Sequence, residues 1–330
     1  MKFVSFTLHG RYLSLSGEHR KIYKPPVVLI RTVPMEHKQD QQNAFKELGI
    51  HEAVLRVIHE ERFEEPSEIQ IRAIPPALQG KDVIARSATG SGKTLAFCAG
   101  LLPKIVPKAG IQALILTPTR ELAEQVGKTF KKFSKYMHLR TAIVYGGVSL
   151  NPQMEELSRA EIVVGTPGRI LDHMDRRTLH FGKIKVLVLD EADRMLDMGF
   201  LPDVETIIRA CPRERQTLLF SATIPGDITR LAQKYMQSPL TVSAEAYVDP
   251  QKLTQKYYDV HDSLKLSLLV HLLKQEQTGL VMVFCNSRRM TDIVTENLEK
   301  NGVDAMAIHG GLSQAKRNMV LERFNQRRSF

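Results

Sequence analysis

The chain has 330 residues, 43% hydrophobic and 25% charged, a balance that suits a soluble globular protein of about two domains and excludes collagen-like, disulfide-scaffold and wholly disordered chains. No run of about 18 apolar residues occurs, and the first residues lack a continuous apolar core of leader length, so no membrane span or secretory signal is expected and the protein reads as cytoplasmic. The net charge of +10 gathers at the ends, +4 in residues 1–44 and +4 in residues 312–330, where it reads equally as a phosphate-attracting surface or as solvated tails.

Residues 1–42 lack periodicity, carry Pro25-Pro26 and Pro34, and are expected to form a poorly ordered basic extension. Beyond them Phe45, Leu48, Leu55 and Ile58 share one helical face. Short apolar runs then alternate with amphipathic stretches: 83–85, 113–116, 141–145, 162–164, 186–189 and 217–220. Such runs with helices between them predict a parallel sheet covered on both faces. Pro239 and Asp249-Pro250 mark a boundary near 238–255. Strands are then expected at 281–284 and 305–308, with helices at 287–300 and about 313–326. The expected domains are 1–42, 43–242 and a thinner one at 243–330. The three cysteines, Cys98, Cys211 and Cys285, form no metal-binding spacing and are expected to be buried thiols.

The strongest local signal is Ser87-Ala88-Thr89-Gly90-Ser91-Gly92-Lys93-Thr94, which follows a strand and opens a helix. Glycines let backbone N–H groups converge on phosphate oxygens at a helix N-terminus, where partial positive charge favours an anion. Lys93 would pair with outer phosphates and Thr94 would offer a hydroxyl to Mg²⁺. The strict phosphate-loop pattern has glycine where this chain has Ser87. The apolar run 186–189 ends in Asp190-Glu191. Ligands of open parallel sheets bind at the strands' carboxyl ends, so Asp190 would hold Mg²⁺ and Glu191 would activate water. Taken alone, this pair reads equally as a solvated acidic turn.

Asp190-Glu191-Ala192-Asp193 and its companions resemble the DEAD-box RNA helicases of superfamily 2. Pro118-Thr119-Arg120-Glu121-Leu122-Ala123, Gly146-Gly147, Thr166-Pro167-Gly168-Arg169, Ser221-Ala222-Thr223, Val283-Phe284-Cys285-Asn286 and His309-Gly310-Gly311 follow in that family's order, so the resemblance spans about residues 43–330. It implies a RecA-like parallel sheet with helices on both faces, followed by an incomplete second RecA-like domain. It also implies an adenine-reading Q motif at 43–71, with Phe45, Phe63 and Gln70 as its key residues. Ser67-x-x-Gln70 is equally a helix capping box. The family usually has glycine at Arg62 and threonine at Ser67.

The resemblance further implies that Asp193 bonds the hydroxyls of Ser221 and Thr223, linking the nucleotide site to strand separation. Pro118, Thr119, Arg120, Gly146, Gly147, Thr166, Gly168 and Arg169 would line an RNA path, mostly through backbone contacts that tolerate any sequence. The expected activity is ATP-dependent RNA unwinding with ATP, Mg²⁺ and RNA as ligands and no membrane. Turnover is expected to be impaired because the family's late arginines do not occur in this sequence. A non-catalytic RNA-binding scaffold and a DNA helicase are the other readings.

Overall fold

A computed structural model describes residues 2–5, 41–88, 90–244, 256–275 and 280–326 of the chain. Two compact units form: one within residues 34–252, the other from the described residues after 252 together with Lys2–Ser5.

The larger unit is built on seven strands: β2 (Val83–Arg86), β3 (Ala113–Leu116), β4 (Thr141–Val144), β5 (Ile162–Gly165), β6 (Val186–Leu189), β7 (Gln216–Ser221) and β8 (Leu240–Ser243). They lie in the order β4-β5-β3-β6-β7-β2-β8, and every pairing is parallel. The six apolar runs read from the sequence are β2 to β7; β8 is not among them and lies in the stretch expected as a domain boundary. Successive side chains point to opposite faces, so every strand except the edge strand β8 feeds two cores. Val83, Ala85, Ile115, Val164, Val188 and Phe220 enter one core. Ile84, Leu114, Leu116, Val163, Leu187 and Leu219 enter the other.

Helices close both faces. The first core is covered by residues of α1 (Gln41–Glu47), α2 (Glu52–Glu60), α3 (Glu68–Leu78), α4 (Lys93–Leu101) and α5 (Arg120–Phe133). The second is covered by residues of α6 (Leu150–Arg159), α7 (Pro167–Asp175), α8 (Ala192–Asp197), α9 (Leu201–Ala210) and α10 (Gly226–Tyr235). Gly100 lies so close to Ala77 that an added Cβ would clash, which brings α3 and α4 into intimate contact.

The smaller unit holds α11 (Lys265–Gln275), β9 (Val281–Phe284), α12 (Arg288–Lys300) and α13 (Gln314–Asn325). Two expectations are corrected here. Lys2–Ser5, placed in a poorly ordered extension, forms a strand, β1, that pairs in parallel with β9. An apolar strand with a free edge leaves backbone groups unpaired, and β1 satisfies one row of them. The rest of the expected extension, 6–40, lies outside the described residues. Residues 305–308, expected as a strand, join no ladder, since the described sheet of this unit has only β1 and β9. Leu269, Leu298 and Val320 are buried here, while Phe284, Met290, Ile293, Ile308 and Met319 are exposed. Cys98 and Cys211 are buried as expected, but Cys285 is only half-buried.

Candidate nucleotide and nucleic-acid site

The strand order divides the carboxyl edge of the seven-stranded sheet into two halves. The loops carrying 87–92, 190–193 and 221–223 leave the consecutive neighbours β2, β6 and β7. Those carrying 117–120, 145–149 and 166–169 leave β3, β4 and β5, which are also neighbours.

On the first half the chain turns after Arg86 through Ser87, Ala88, Gly90, Ser91 and Gly92 into α4; Thr89 lies outside the described residues. Gly90 and Gly92 have φ of 80° and 90°, a region that favours glycine. The turn is closed on itself. Lys93 Nζ donates to Ser87 O at 3.4 Å and Ser91 Oγ donates to Ser87 Oγ at 3.1 Å. Ser87 and Lys93 are both buried, while Thr94 is half-buried.

The α3 N-terminus braces this turn. Ser67 Oγ donates to Ser91 O at 2.7 Å, and Gln70 Nε2 donates to Gly92 O at 3.1 Å. Gln70 Oε1 accepts from the Ser67 N–H at 2.9 Å, the helix-capping contact that the spacing suggested. Gln70 is only 3% exposed, so one N–H and one lone pair of its amide serve the turn and the cap. Phe45 is buried in the first core, and Phe63 is exposed with its ring 6.3 Å from that of Phe133. Phe45, expected as the upstream aromatic of the adenine motif, belongs to the same buried cluster as Val54 and Ile58. Arg62 has φ 57°, the left-handed region, which accounts physically for a preference for glycine at that position.

At the end of β6, Asp190 is 2% exposed and accepts from the Glu191 N–H at 3.0 Å. Burial pushes its carboxyl up to about 6, against the pull of the Lys93 ammonium, so the two charges share one neighbourhood. Glu191 sits at φ 50° and ψ 51°, left-handed for a residue that has a Cβ. Such a conformation costs about 1–2 kcal/mol and persists where surrounding structure enforces it. Its carboxylate lies 3.3 Å from Arg194. Asp193 Oδ2 accepts from Thr223 N–H at 2.8 Å and from Thr223 Oγ1 at 2.9 Å, and its own N–H donates to Ser221 Oγ at 3.1 Å. Burial pushes the Asp193 carboxyl up, but bonds from Thr223, Ser221 and the Arg194 N–H outweigh it and hold the group below its ordinary range.

Among the described residues no cluster of three or more His, Cys, Asp or Glu could hold a metal alone. Mg²⁺ requires less, one or two protein oxygens beside phosphate and water. The buried, incompletely compensated Asp190 carboxylate and the Thr94 hydroxyl fit that requirement.

On the second half, Pro118 is buried and Thr119 caps α5, its Oγ1 accepting from the Leu122 N–H at 3.3 Å. The Arg120 guanidinium lies so close to Gly147 (φ 84°) that any side chain there would strike it. Gly147 and Gly168 are exposed, and Gly146 and Thr166 half-exposed. Arg169 departs from its expected place on the RNA path. It is 9% exposed, donates to Val148 O at 3.2 and 3.1 Å, and pairs with Asp172 at 3.4 Å. Its fork is engaged behind the 145–149 loop and not offered outward. Three contributors escaped the sequence reading: Arg194 beside Glu191, and the buried pair Gln153 and His173 behind that same loop. The last two sit at positions where helical spacing from Leu157 and Ile170 calls for apolar residues, and that anomaly was their signal.

A family model described as DEAD/DEAH box helicase matches residues 67–231, and one described as helicase conserved C-terminal domain matches 264–330. A probable ATP-dependent RNA helicase of Methanocaldococcus jannaschii is 42% identical over 286 residues, 86% of this chain and 77% of the relative. The chain belongs to the DEAD-box helicase family. The ATP-dependent RNA helicase CshA of Listeria monocytogenes is 44% identical over 285 residues, 86% of this chain and 55% of CshA, so this DEAD-box chain spans about half the length of that relative. Among solved structures, a DEAD box protein from the hyperthermophile Methanococcus jannaschii aligns with TM-score 0.60 and 41% identity over 87% of this chain and 78% of its own. Saccharomyces cerevisiae Dbp5 bound to RNA and ADP BeF3 aligns with TM-score 0.79 and 31% identity, covering 87% and 74%. The RecA-like sheet is thus common to the DEAD-box family, whereas β1 lies outside both matched segments. Among the described residues no helix is long and apolar enough to cross a membrane.

Proposed function

We propose that this chain binds ATP-Mg²⁺ on the β2, β6 and β7 half of the sheet edge and RNA on the β3, β4 and β5 half, and couples ATP hydrolysis to local remodelling of an RNA duplex. The observation that carries this reading is the convergence of a buried lysine after β2 with a buried aspartate and a strained glutamate after β6, two strand ends that flank β7. The relatives' names and the RNA and ADP BeF3 of the Dbp5 neighbour support it.

In this reading Lys93 exchanges Ser87 O for phosphate oxygens, and the N–H groups of 90–92 turn toward the same anion. Gln70 presents its second N–H and lone pair to adenine. Thr94 and Asp190 would hold Mg²⁺, which neutralises phosphate charge. Glu191, fixed by its backbone and by Arg194, orients the attacking water and takes its proton. Asp193 carries the state of that site to β7 through Ser221 and Thr223. Thr119, Arg120, Gly146, Gly147, Thr166 and Gly168 meet phosphates and sugars, which encode little base sequence.

The test is Glu191→Gln together with nucleotide-dependent RNA binding. RNA-stimulated phosphate release by the wild type, lost in the variant, supports the reading. Nucleotide-independent RNA binding with no turnover would favour a non-catalytic RNA-binding scaffold instead.

A further inference from the structure

The 145–149 loop is gripped from behind by side chains that no RNA could touch. Arg169 of α7 holds Val148 O. Gln153 of α6, 6% exposed, donates its Nε2 to Tyr145 O at 3.2 Å and to Ser149 O at 3.3 Å. These two bonds span the loop from its first residue to its last. They also fix which end of the amide is oxygen, since only the NH₂ can donate to carbonyls. The remaining Oε1 is an acceptor, and it faces His173 Nε2 at 3.3 Å.

His173 is fully buried on α7, and burial together with the nearby Arg169 holds it below its ordinary range, so it is neutral near pH 7. A neutral imidazole has one N–H. Because Oε1 of Gln153 can only accept, that proton belongs on Nε2. Nδ1 must then accept, and the one Thr178 hydroxyl proton, 2.8 Å from Nδ1 and 3.1 Å from His173 O as measured from Oγ1, is shared between the two. One directed chain results: Thr178 O–H to His173, His173 N–H to Gln153, Gln153 N–H groups to both ends of the loop.

We propose that His173 and Gln153 are positioning residues for RNA binding, holding the Gly146-Gly147 loop in register with Arg120 through this buried relay. The inference rests on the RNA-binding reading above. It deepens that reading, because it makes α7 contribute through its interior polar face as well as through its exposed Gly168. Gly147 has its guanidinium neighbour from α5 in front and the relay behind, so a slack relay frees the loop to drift from the Arg120 surface.

Two near-isosteric variants separate the two ends of the ring. His173→Gln places an amide N–H where Nε2 stands and keeps the link to Gln153. His173→Asn places its amide where Nδ1 stands, keeps Thr178, and abandons Gln153. Binding of a fluorescent oligouridylate is measured by anisotropy with a non-hydrolysable ATP analogue, at one salt concentration. We expect His173→Asn to weaken RNA binding about tenfold, the effect of one buried acceptor left unsatisfied. His173→Gln should stay within about threefold of wild type. ADP affinity should be equal in all three. Amide exchange at 145–149 should accelerate in the Asn variant alone.

Thr178→Val cuts the relay on the far side of the ring but leaves the His173 N–H bond to Gln153, so it should weaken RNA binding less than His173→Asn does. Equal RNA affinity of the Asn and Gln variants overturns the proposal, whatever their melting temperatures. Wild-type protein that binds nucleotide but no RNA removes the functional reading and this inference together; wild-type binding with indistinguishable variants removes the inference alone.

Discussion

On the half of the sheet edge proposed for nucleotide the polar groups bond to one another. Lys93 returns to Ser87, Gln70 and Ser67 hold the carbonyls of Gly92 and Ser91, and Asp193 is saturated by Thr223 and Ser221. On the half proposed for RNA the bonding lies behind the loops, in Arg169, Gln153 and His173, while Gly147 and Gly168 are exposed. A ligand on the first half must replace internal hydrogen bonds with its own, so the net gain is small for anything that does not match them. A ligand on the second half meets a surface already in place, where affinity follows from charge and shape. In the proposed reading selectivity and permissiveness thus sit side by side on one sheet.

The largest expected effect breaks the nucleotide half. Glu191→Gln should lower ATP turnover by about 10²–10⁴ while leaving nucleotide binding in place, as read by phosphate release and by titration with a labelled analogue. Retention of full turnover would show that the water is activated elsewhere. Next, two glycines contrast the halves directly. Gly92→Ala puts a Cβ against Gln70 and Ser67 at φ 90° and should cost about 1–3 kcal/mol of stability together with nucleotide affinity. Gly168→Ala meets nothing within 4 Å near the start of α7, so stability should rise by up to about 1 kcal/mol. If RNA affinity nevertheless drops in that variant, the backbone of Gly168 is approached closely by the nucleic acid. Urea midpoints and RNA anisotropy on the same samples decide both.

A smaller effect sharpens the comparison at Arg62. Replacing it with glycine removes left-handed strain at φ 57° and should raise stability by about 1 kcal/mol, seen as a higher melting temperature. The smallest effect concerns acid. His173 titrates below its ordinary 6.5 in the folded protein because of burial and of Arg169 and Arg176, against Asp172. The unfolded chain therefore takes the proton first as pH falls. The stability contribution is complete above pH 6.5 and is lost progressively below it. Urea midpoints through that window should fall less steeply for His173→Asn than for wild type.

Six of the seven strands were legible because short apolar runs without alternation, set between amphipathic stretches, fit strands covered on both faces, while β8 is half-exposed and carries no such run. The glycine turn and acidic strand tip were legible from the residue types that phosphate and metal would require. What lay hidden was direction. Nothing in Gln70 says that its amide turns to Gly92, and nothing in Arg169 says that its fork points inward to Val148. Both follow from how α3 and α7 are set against neighbouring loops, a tertiary fact. The pairing of β1 with β9 was hidden for a similar reason, because four residues hold no periodicity that could announce a distant partner.

The two halves meet at one seam. Asp190 N–H donates to Leu116 O at 3.0 Å, and Leu116 precedes the turn that carries Thr119 and Arg120. The backbone that carries the proposed metal carboxylate and the strand that leads into the proposed nucleic-acid loop are thereby one interstrand spacing apart, about 4.8 Å. Anyone wishing to retune RNA preference without disturbing ATP chemistry should therefore engineer the ends of β4 and β5, which never touch β6, and leave the tip of β3 untouched.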